Sequence, residues 1–596
     1  MLTKLKQNIP AIILFIFFLS LYIYTAAPGV YDGDSGELAA AVNTLGLAHP
    51  TGFPLYMLSG KLFTLLVPIK DVAYRLNIFS ALLTTTALVF FYYTLKNLGN
   101  SPFASLAASL ILGLGRNTIW SNAGTARVYA LSLLFVSILF FIFSKWRKER
   151  KTKYLYWYGF LWGLSLGTHA LMLVMAIPPL FMLWQARHII KERLGILAKI
   201  IFLTIIPAVQ YIYLFFAYKR NGIVNWGDMS NWDGFIYYIT QRQYATKIFA
   251  NTLSDTGNFL VKIGGLLTSE FTIIFIGVAV AGLIYLLKKE RTLSIIFVSI
   301  ILVNVGMMYG YGKSGDLIIL FRYIFIADLV LSLMIAFGLD MVMNWARISK
   351  GNRGAMFFTV ITILAISLQF KFSYAYNDRR NNFIVEDFAQ NIFVTIEPDS
   401  ILLTSGDTVS NSLWYLQSIG QRDDIIQINA DLMVYNWYMA SEIKRYPDVF
   451  DASILAERQN YNRILNIINK NIANQRIYTT FPAWDEYSNS NFEFVPVGII
   501  YAVVPKKNDE AVKLLQLNKT IWDKYQLRNI KTGLYKDFML NLLVQHYALS
   551  LNNIGVVYAS LNLPKESIYF LKKSIDIIPD TRTKENLNKV ERNFIQ

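Results

Sequence analysis

The stretch YDGDSGELAAAVNTLGLAHPTGFP, Tyr31 to Pro54, decides how this chain is read. It sets Asp32, Asp34 and Glu37 directly after an apolar run, Pro10 to Ala27, of about the length that crosses hydrocarbon as a helix. Acids at the exit of a span call for a partner or a role. Asp34 and Glu37 stand three residues apart and share one side of a helix, so they can hold a proton acceptor and its supporting group together. The same residues suit capping, with Asp34 or Ser35 as N-cap and Glu37 as a first-turn acid. Two helical stretches, ELAAAVNTLGLA and PLYMLSGKLFTLLV, flank His49-Pro50-Thr51-Gly52-Phe53-Pro54. Both are short for a span and read as helices lying along the interface, apolar side in lipid and Asp34, Glu37 and His49 turned to water.

Outward from this segment, apolar runs recur from Ile9 to Phe372 in a chain of 596 residues that is 54% hydrophobic, with mean hydropathy +0.38. That composition describes a polytopic α-helical membrane protein with a soluble C-terminal part. The net charge of +17 does not point to nucleic acid, because the basic residues concentrate in short loops between apolar segments and encode orientation. Cysteine is absent, which excludes disulfides, a thiol nucleophile and cysteine metal sites. Lys4 and Lys6 precede the first apolar run, and no clear small-residue cleavage site follows it, so it reads as a retained helix.

Four basic stretches, Ser144 to Lys153, Ala186 to Arg193, Lys288 to Arg291 and Ala346 to Arg353, belong on the cytoplasmic side. About eleven spans satisfy them, over 10–27, 72–96, 101–117, 126–145, 154–169, 171–185, 195–217, 270–287, 293–310, 317–341 and 355–373. A second reading of 154–185 is one kinked helix plus a re-entrant piece. With the N-terminus cytoplasmic, the odd count places the loops 28–71, 118–125, 218–269 and 311–316, and everything after Phe372, on the extracytoplasmic side of a plasma or inner membrane.

From Asn377 the pattern changes. Short β-branched runs at 400–404, 424–430, 475–481 and 497–504 alternate with helical spacing around 410–419 and 435–445, as in a small α/β domain. Ala548 to Pro579 carries Leu551, Ile554, Gly555, Tyr558, Ser567, Leu571, Ser574 and Pro579 at tetratricopeptide offsets. One repeat cannot bury its own face, so helices from Glu510 to Gln545 and Thr583 to Phe594 are expected to complete a packing or partner-binding stack. The domains are then 1–374, transmembrane, with 31–71 as first outer loop; 375–507, α/β; and 508–596, helical.

Other polar residues are candidates with two readings each. His49 is a phosphate or substrate contact, or the polar tip of an apolar helix end. His169, in GLSLGTHALML, is a ligand contact or a hydrogen-bonded core histidine. Asn225-Trp226-Gly227-Asp228, with Trp232 and Arg242-Gln243-Tyr244, offers aromatic platforms, an acid and a cation for a sugar or acceptor peptide, although Trp and Tyr also anchor any interface. Arg127, Arg242 and Arg322 match a lipid phosphate bidentately, or snorkel to headgroups.

GDSGEL (33–38), AHPTGFPLY (48–56), WSNAGTARVYAL (120–131), GLSLGTH (163–169), NWGD (225–228) with RQY (242–244), and TSGDTVSNSLWYLQ (404–417) with RDD (422–424) together resemble a family of multi-pass transmembrane O-mannosyltransferases within the GT-C glycosyltransferase superfamily. The match runs in order from Tyr31 to about Trp437. The resemblance implies a GT-C-like fold, a polyprenyl-phosphate sugar donor and transfer of mannose or another hexose to an exported protein or glycan on the extracytoplasmic side. It maps the catalytic acid to Asp34 with Glu37 beside it, and ranks Asp32 second. Arg127 departs from the pattern, which has an acid before the Val-Tyr pair. On this reading Asp34 is a general base on an acceptor hydroxyl, with inversion at the anomeric carbon. Arginines, with or without a divalent cation, stabilise the leaving phosphate; no ligand set in the sequence specifies a metal. The competing functions are a transporter or flippase of lipid-linked substrates and a membrane-anchored scaffold using its C-terminal repeat. A transporter calls for acids midway through helices and paired broken helices.

Overall fold

The computed structural model describes residues 2–313, 316, 320–481, 490–506, 510–532 and 537–595. The chain divides into two compact units. One holds residues 1–27, 49–216 and 229–380; the other holds 28–48, 217–228 and 381–596.

The first unit is helical because long apolar segments in lipid must satisfy every backbone group internally. Among the described residues, seven helices are long and apolar enough to cross a membrane: Asn8–Thr25, Val72–Asn97, Val128–Glu149, Leu194–Arg220, Asp255–Lys289, Arg291–Gly310 and Phe321–Asn377. Pro102–Gly113 and Ala170–Gln185 are shorter apolar helices. The expected spans 317–341 and 355–373 run as one element, Phe325–Asn377, that breaks only at Gly351; positions 317–319 lie outside the described residues. Asp255–Lys289 starts well before the expected 270 and turns at Thr272, so residues 255–269 are helix rather than loop. Over 154–185 the chain forms Lys153–Ser165, a 3-10 segment Ala170–Ala176 and Ile177–Gln185. The last carries its prolines in the first turn, where their missing N–H costs no helical bond.

Of the two helices expected at the interface, Pro54–Leu66 keeps an exposed stripe of Leu58, Leu62, Leu65 and Leu66 opposite buried Tyr56, Met57 and Gly60. That amphipathic division fits a helix lying in an interface. Asp34–Thr44 does not. Ser35 through Val42 are all buried, because this helix packs on Asp407–Ser418 of the second unit.

The second unit is built on a five-stranded sheet in the order β2-β1-β3-β5-β4, with β1 Ile401–Thr404, β2 Ile426–Asn429, β3 Ile477–Thr479, β4 Phe492–Val497 and β5 Ile500–Pro505. β1 pairs in parallel with β2 and β3, while β5 runs antiparallel to β3 and β4. The segment expected as one strand, 497–504, is the second arm of a hairpin that turns at Gly498 (φ 60°). Beyond it, Phe538–Ser560 and Pro564–Ile577 pair, with Tyr558 stacked on Phe570 at 5.6 Å and Ser574 donating to the Ala548 carbonyl. Thr581–Ile595 packs on the second of them. The expected boundary at 507/508 falls beside positions 507–509, which lie outside the described residues.

Candidate functional site

The Asp34–Thr44 helix opens on Gly33, whose φ of 56° and ψ of −123° suit glycine. Gly33 is the N-cap, so neither Asp34 nor Ser35 caps the helix; Asp34 is its first residue and Glu37 completes the first turn. Negative charge is favoured there by the helix dipole. Both helix ends are tied to Asp407–Ser418. Thr408 Oγ1 accepts from the Gly33 N–H at 3.1 Å, Asn411 Nδ2 donates to the Gly33 carbonyl at 3.1 Å, and Asn43 Nδ2 donates to the Ser418 carbonyl at 2.7 Å. Between the ties, Gly36 allows the two backbones to touch: a Cβ there would lie 2.5 Å from the Asn411 carbonyl oxygen. Motifs some 370 residues apart, GDSGEL and TSGDTVSNSLWYLQ, are thus two faces of one helix pair. Asp32 and Glu37 are each 1% exposed, and Asp34 is half-buried. Glu37 is therefore not turned to water.

The NWGD segment joins the same unit. Leu47 and Asn225 form a parallel bridge, with the Leu47 N–H donating to the Val224 carbonyl and the Trp226 N–H to the Leu47 carbonyl, both at 3.0 Å. Trp226 meets Trp414 edge-on and Trp437 at a tilt, each at 6.4 Å, and Asn225 Nδ2 donates to Ser441 Oγ. Trp226 is thereby packed inside the unit rather than acting as an interface anchor. Trp232, 73% exposed, keeps the character of an anchor. Asp228 follows, half-buried.

The remaining candidates belong to the membrane unit. His169 is 9% exposed, and its Nδ1 accepts from the Leu171 N–H at 3.1 Å, which leaves Nε2 to carry the ring proton in the neutral form. Its ring lies parallel to Phe53 at 5.9 Å and within 5.4 Å of Tyr129 and Tyr323. His49 meets the other side of this cluster, edge-on to Phe53 at 4.8 Å. Arg127, 2% exposed, is the residue from which Val128–Glu149 starts, two positions before Tyr129. Arg322 directly precedes Tyr323 and lies over the Phe321 ring. These two arginines therefore border the histidine cluster along the chain. Arg242 is apart from it, exposed and 3.8 Å from Asp233.

Two acids absent from the sequence-based candidates are also buried in the membrane unit. Glu270 accepts from the backbone N–H groups of Asn117 and Thr118. Thr118 Oγ1 lies 2.7 Å from Glu270 Oε1 and 2.7 Å from Asp328 Oδ2. One hydroxyl hydrogen cannot serve both oxygens, so one carboxyl carries a second proton. Of the two acids, Glu270 is the one that also holds backbone N–H groups of the 117–118 turn. The chain sets this loop further by Arg379, which donates to the Ser121 carbonyl and Oγ at 2.7 and 2.8 Å. The signal for Glu270 and Asp328 is present in the sequence as acids inside the apolar runs TSEFTIIF and FIADLVL, where an ionisable residue marks a functional position by default.

Comparison with known proteins follows this layout. Residues 34–193 match the model for the protein O-mannosyl-transferase TMEM260 N-terminal domain, beginning at Asp34 itself, and residues 385–449 match TMEM260-associated domain 2, which includes the Asp407–Ser418 helix. The mouse protein O-mannosyl-transferase TMEM260 is 26% identical over 72% of this chain, a match that spans 64% of the mouse protein. The Dictyostelium discoideum protein of the same name is 22% identical over 98% of this chain and 78% of its own length. Among solved structures, ArnT from Cupriavidus metallidurans bound to undecaprenyl phosphate superposes with a TM-score of 0.53 at 11% identity, covering 83% of this chain and 97% of ArnT. Its apo form gives 0.52 at 9% identity. With both domain models matched and the motifs in the same order, this multi-pass membrane protein is similar in sequence to the TMEM260 protein O-mannosyl-transferases and shares its fold with ArnT.

Proposed function

We propose that the protein is a membrane glycosyltransferase. It moves a hexose, mannose by kinship with its named relatives, from a polyprenyl-phosphate donor to the hydroxyl of an exported protein or glycan on the extracytoplasmic face. The observation that carries this reading is the mounting of Asp34: a half-buried carboxylate on the first residue of a helix tied at both ends to a second helix. A general base must be held within hydrogen-bond reach of the proton it takes, and a rigid mounting provides that. Undecaprenyl phosphate in the ArnT structure supports the donor class.

In the reaction, the acceptor O–H gives its proton to the Asp34 carboxylate while its oxygen forms a bond to the anomeric carbon. The bond from that carbon to the phosphate oxygen breaks, and polyprenyl phosphate leaves with the electron pair, inverting the centre. Glu37, one turn on, supports the orientation of Asp34. Arg127 and Arg322 are assigned to the donor phosphate, whose growing charge an arginine fork matches. Asp34 and Glu37 offer oxygen donors of the kind hard divalent cations take. The basic loops orient the chain with its N-terminus in the cytoplasm and its C-terminal unit outside.

The test is Asp34→Asn in the purified full chain, supplied with polyprenyl-phosphate mannose and an acceptor. Transfer is expected to fall by about 10²–10⁴-fold, the usual worth of a positioned base, with the melting curve unchanged. Full activity in that variant refutes the assignment.

A further inference from the structure

Between Lys153–Ser165, Ile177–Gln185 and Leu194–Ile205 runs a groove of about 230 Å³, lined almost wholly by apolar side chains, among them Leu155, Trp162, Leu180 and Ile201. Leu180, Ile201 and Ile205 on its rim are 50–65% exposed, so the groove opens where hydrocarbon lies. At one end it meets a cleft of about 60 Å³ lined by Trp146, Arg150, Thr152 and Gln185; Leu155 lines both.

The cleft differs from the groove in charge. Arg150 lies over the Trp146 ring at 4.5 Å and donates to Gln185 Oε1. Its neighbours are occupied: Arg147 pairs with Glu290 at 2.8 Å and Lys151 with Glu149 at 2.9 Å. Among the described residues no carboxylate pairs with Arg150. From Lys145 to Lys153 the chain holds six basic residues against one acid. Exposed Trp184, with Arg187 over its ring at 5.0 Å, marks the headgroup level. An apolar slot that ends at that level on a guanidinium with no carboxylate partner among the described residues is complementary to the phosphate of a lipid head, and most to a head of net negative charge.

We propose that this groove and cleft bind an anionic phospholipid, an acyl chain lying along Leu155, Leu180 and Ile201 and the phosphate on Arg150, with Gln185 as second donor. The neighbouring Lys148, Arg187 and Lys191 supply the wider positive field that draws such lipids to the cytoplasmic leaflet. Simple snorkelling of Arg150 to any headgroup would give no preference among lipids, which separates the two readings.

The experiment is native mass spectrometry of the full chain in detergent, loaded with equal amounts of phosphatidylglycerol and phosphatidylcholine of matched acyl chains. Phosphatidylglycerol is expected to be retained about five-fold over phosphatidylcholine, the attraction one surface cation provides. This wild-type ratio needs no variant; a ratio near one overturns the proposal. In Arg150→Gln, at an exposed position, the ratio is expected to fall to about one; retained selectivity overturns the proposal. Ile201→Trp, which fills the groove, is expected to lower retention of both lipids, and unchanged retention overturns the placing of the chain. Inorganic phosphate in excess leaves retention unaltered; displacement by phosphate alone would assign the cleft to a free anion instead.

Discussion

Gly36→Ala isolates the contact on which the mounting of Asp34 rests. In a helix the change by itself stabilises, since alanine is favoured over glycine by about 0.5–1 kcal/mol. The new methyl, however, would sit 2.5 Å from the Asn411 carbonyl oxygen, 2.6 Å from its carbon and 2.8 Å from the Ser412 nitrogen. All three are backbone atoms in the middle of Asp407–Ser418, so none can swing aside as a side chain can. The helices must move apart, stretching the Asn411 to Gly33 and Asn43 to Ser418 hydrogen bonds at either end. Overpacking of this kind costs about 1–3 kcal/mol, and it outweighs the propensity gain. For a unit of this size the net loss lowers the melting temperature by about 2–4 °C per kcal/mol. Thermal unfolding of the full chain in detergent, alongside transfer activity, reads both consequences: a lower midpoint, and a rate reduced because Asp34 is displaced. A variant that melts at or above the wild type would refute the reasoning, since propensity would then be the only effect.

Two further outcomes follow from buried acids. Burial pushes the Glu442 carboxyl up to about 7, against the pull of Arg445 at 2.9 Å. A carboxyl raised in the folded state binds its proton more tightly there, so its contribution to stability is full below about pH 4.5 and is lost as pH rises through about 7. The melting temperature of the wild type is expected to decline over that window, and Glu442→Gln to flatten the decline; an unaltered pH profile in the variant would show that another group sets it. In the membrane unit, Asp328→Asn keeps a polar partner for Thr118 Oγ1 and is expected to cost less than about 1 kcal/mol. Glu270→Gln weakens a charged acceptor of backbone N–H groups and is expected to cost about 1.5–3 kcal/mol. Equal melting shifts in the two variants would contradict this division, in which Glu270 and not Asp328 accepts from the backbone N–H groups.

How far the chain could be read depends on where each interaction partner lies in it. Membrane helices announce themselves locally: 72–96 was expected and Val72–Asn97 forms, 293–310 was expected and Arg291–Gly310 forms, because hydropathy and flanking charge are properties of the segment itself. The break at Gly351 sits inside a basic stretch that the charge pattern reads as a loop. β1, β2 and β3 are legible for the same local reason. β4 is hidden, since Glu493 and Pro496 spoil its pattern and only pairing with β5 makes it a strand.

The Asp34–Thr44 helix marks the limit of such reading. Its sequence is amphipathic enough to suggest a bilayer surface, and the feature that overrules this is a partner helix starting at Asp407. Nothing within residues 33–44 names that partner, but the composition leaves a trace: Gly33, Ser35, Gly36 and three successive alanines are small residues, which let backbones approach closely rather than fill a lipid face. Thr408, Asn411 and Ser412 supply the matching small polar face on the other helix. The family motifs at 33–38, 225–228 and 404–417 are then explained as one packing arrangement, with Asp34 the carboxylate it leaves half-open.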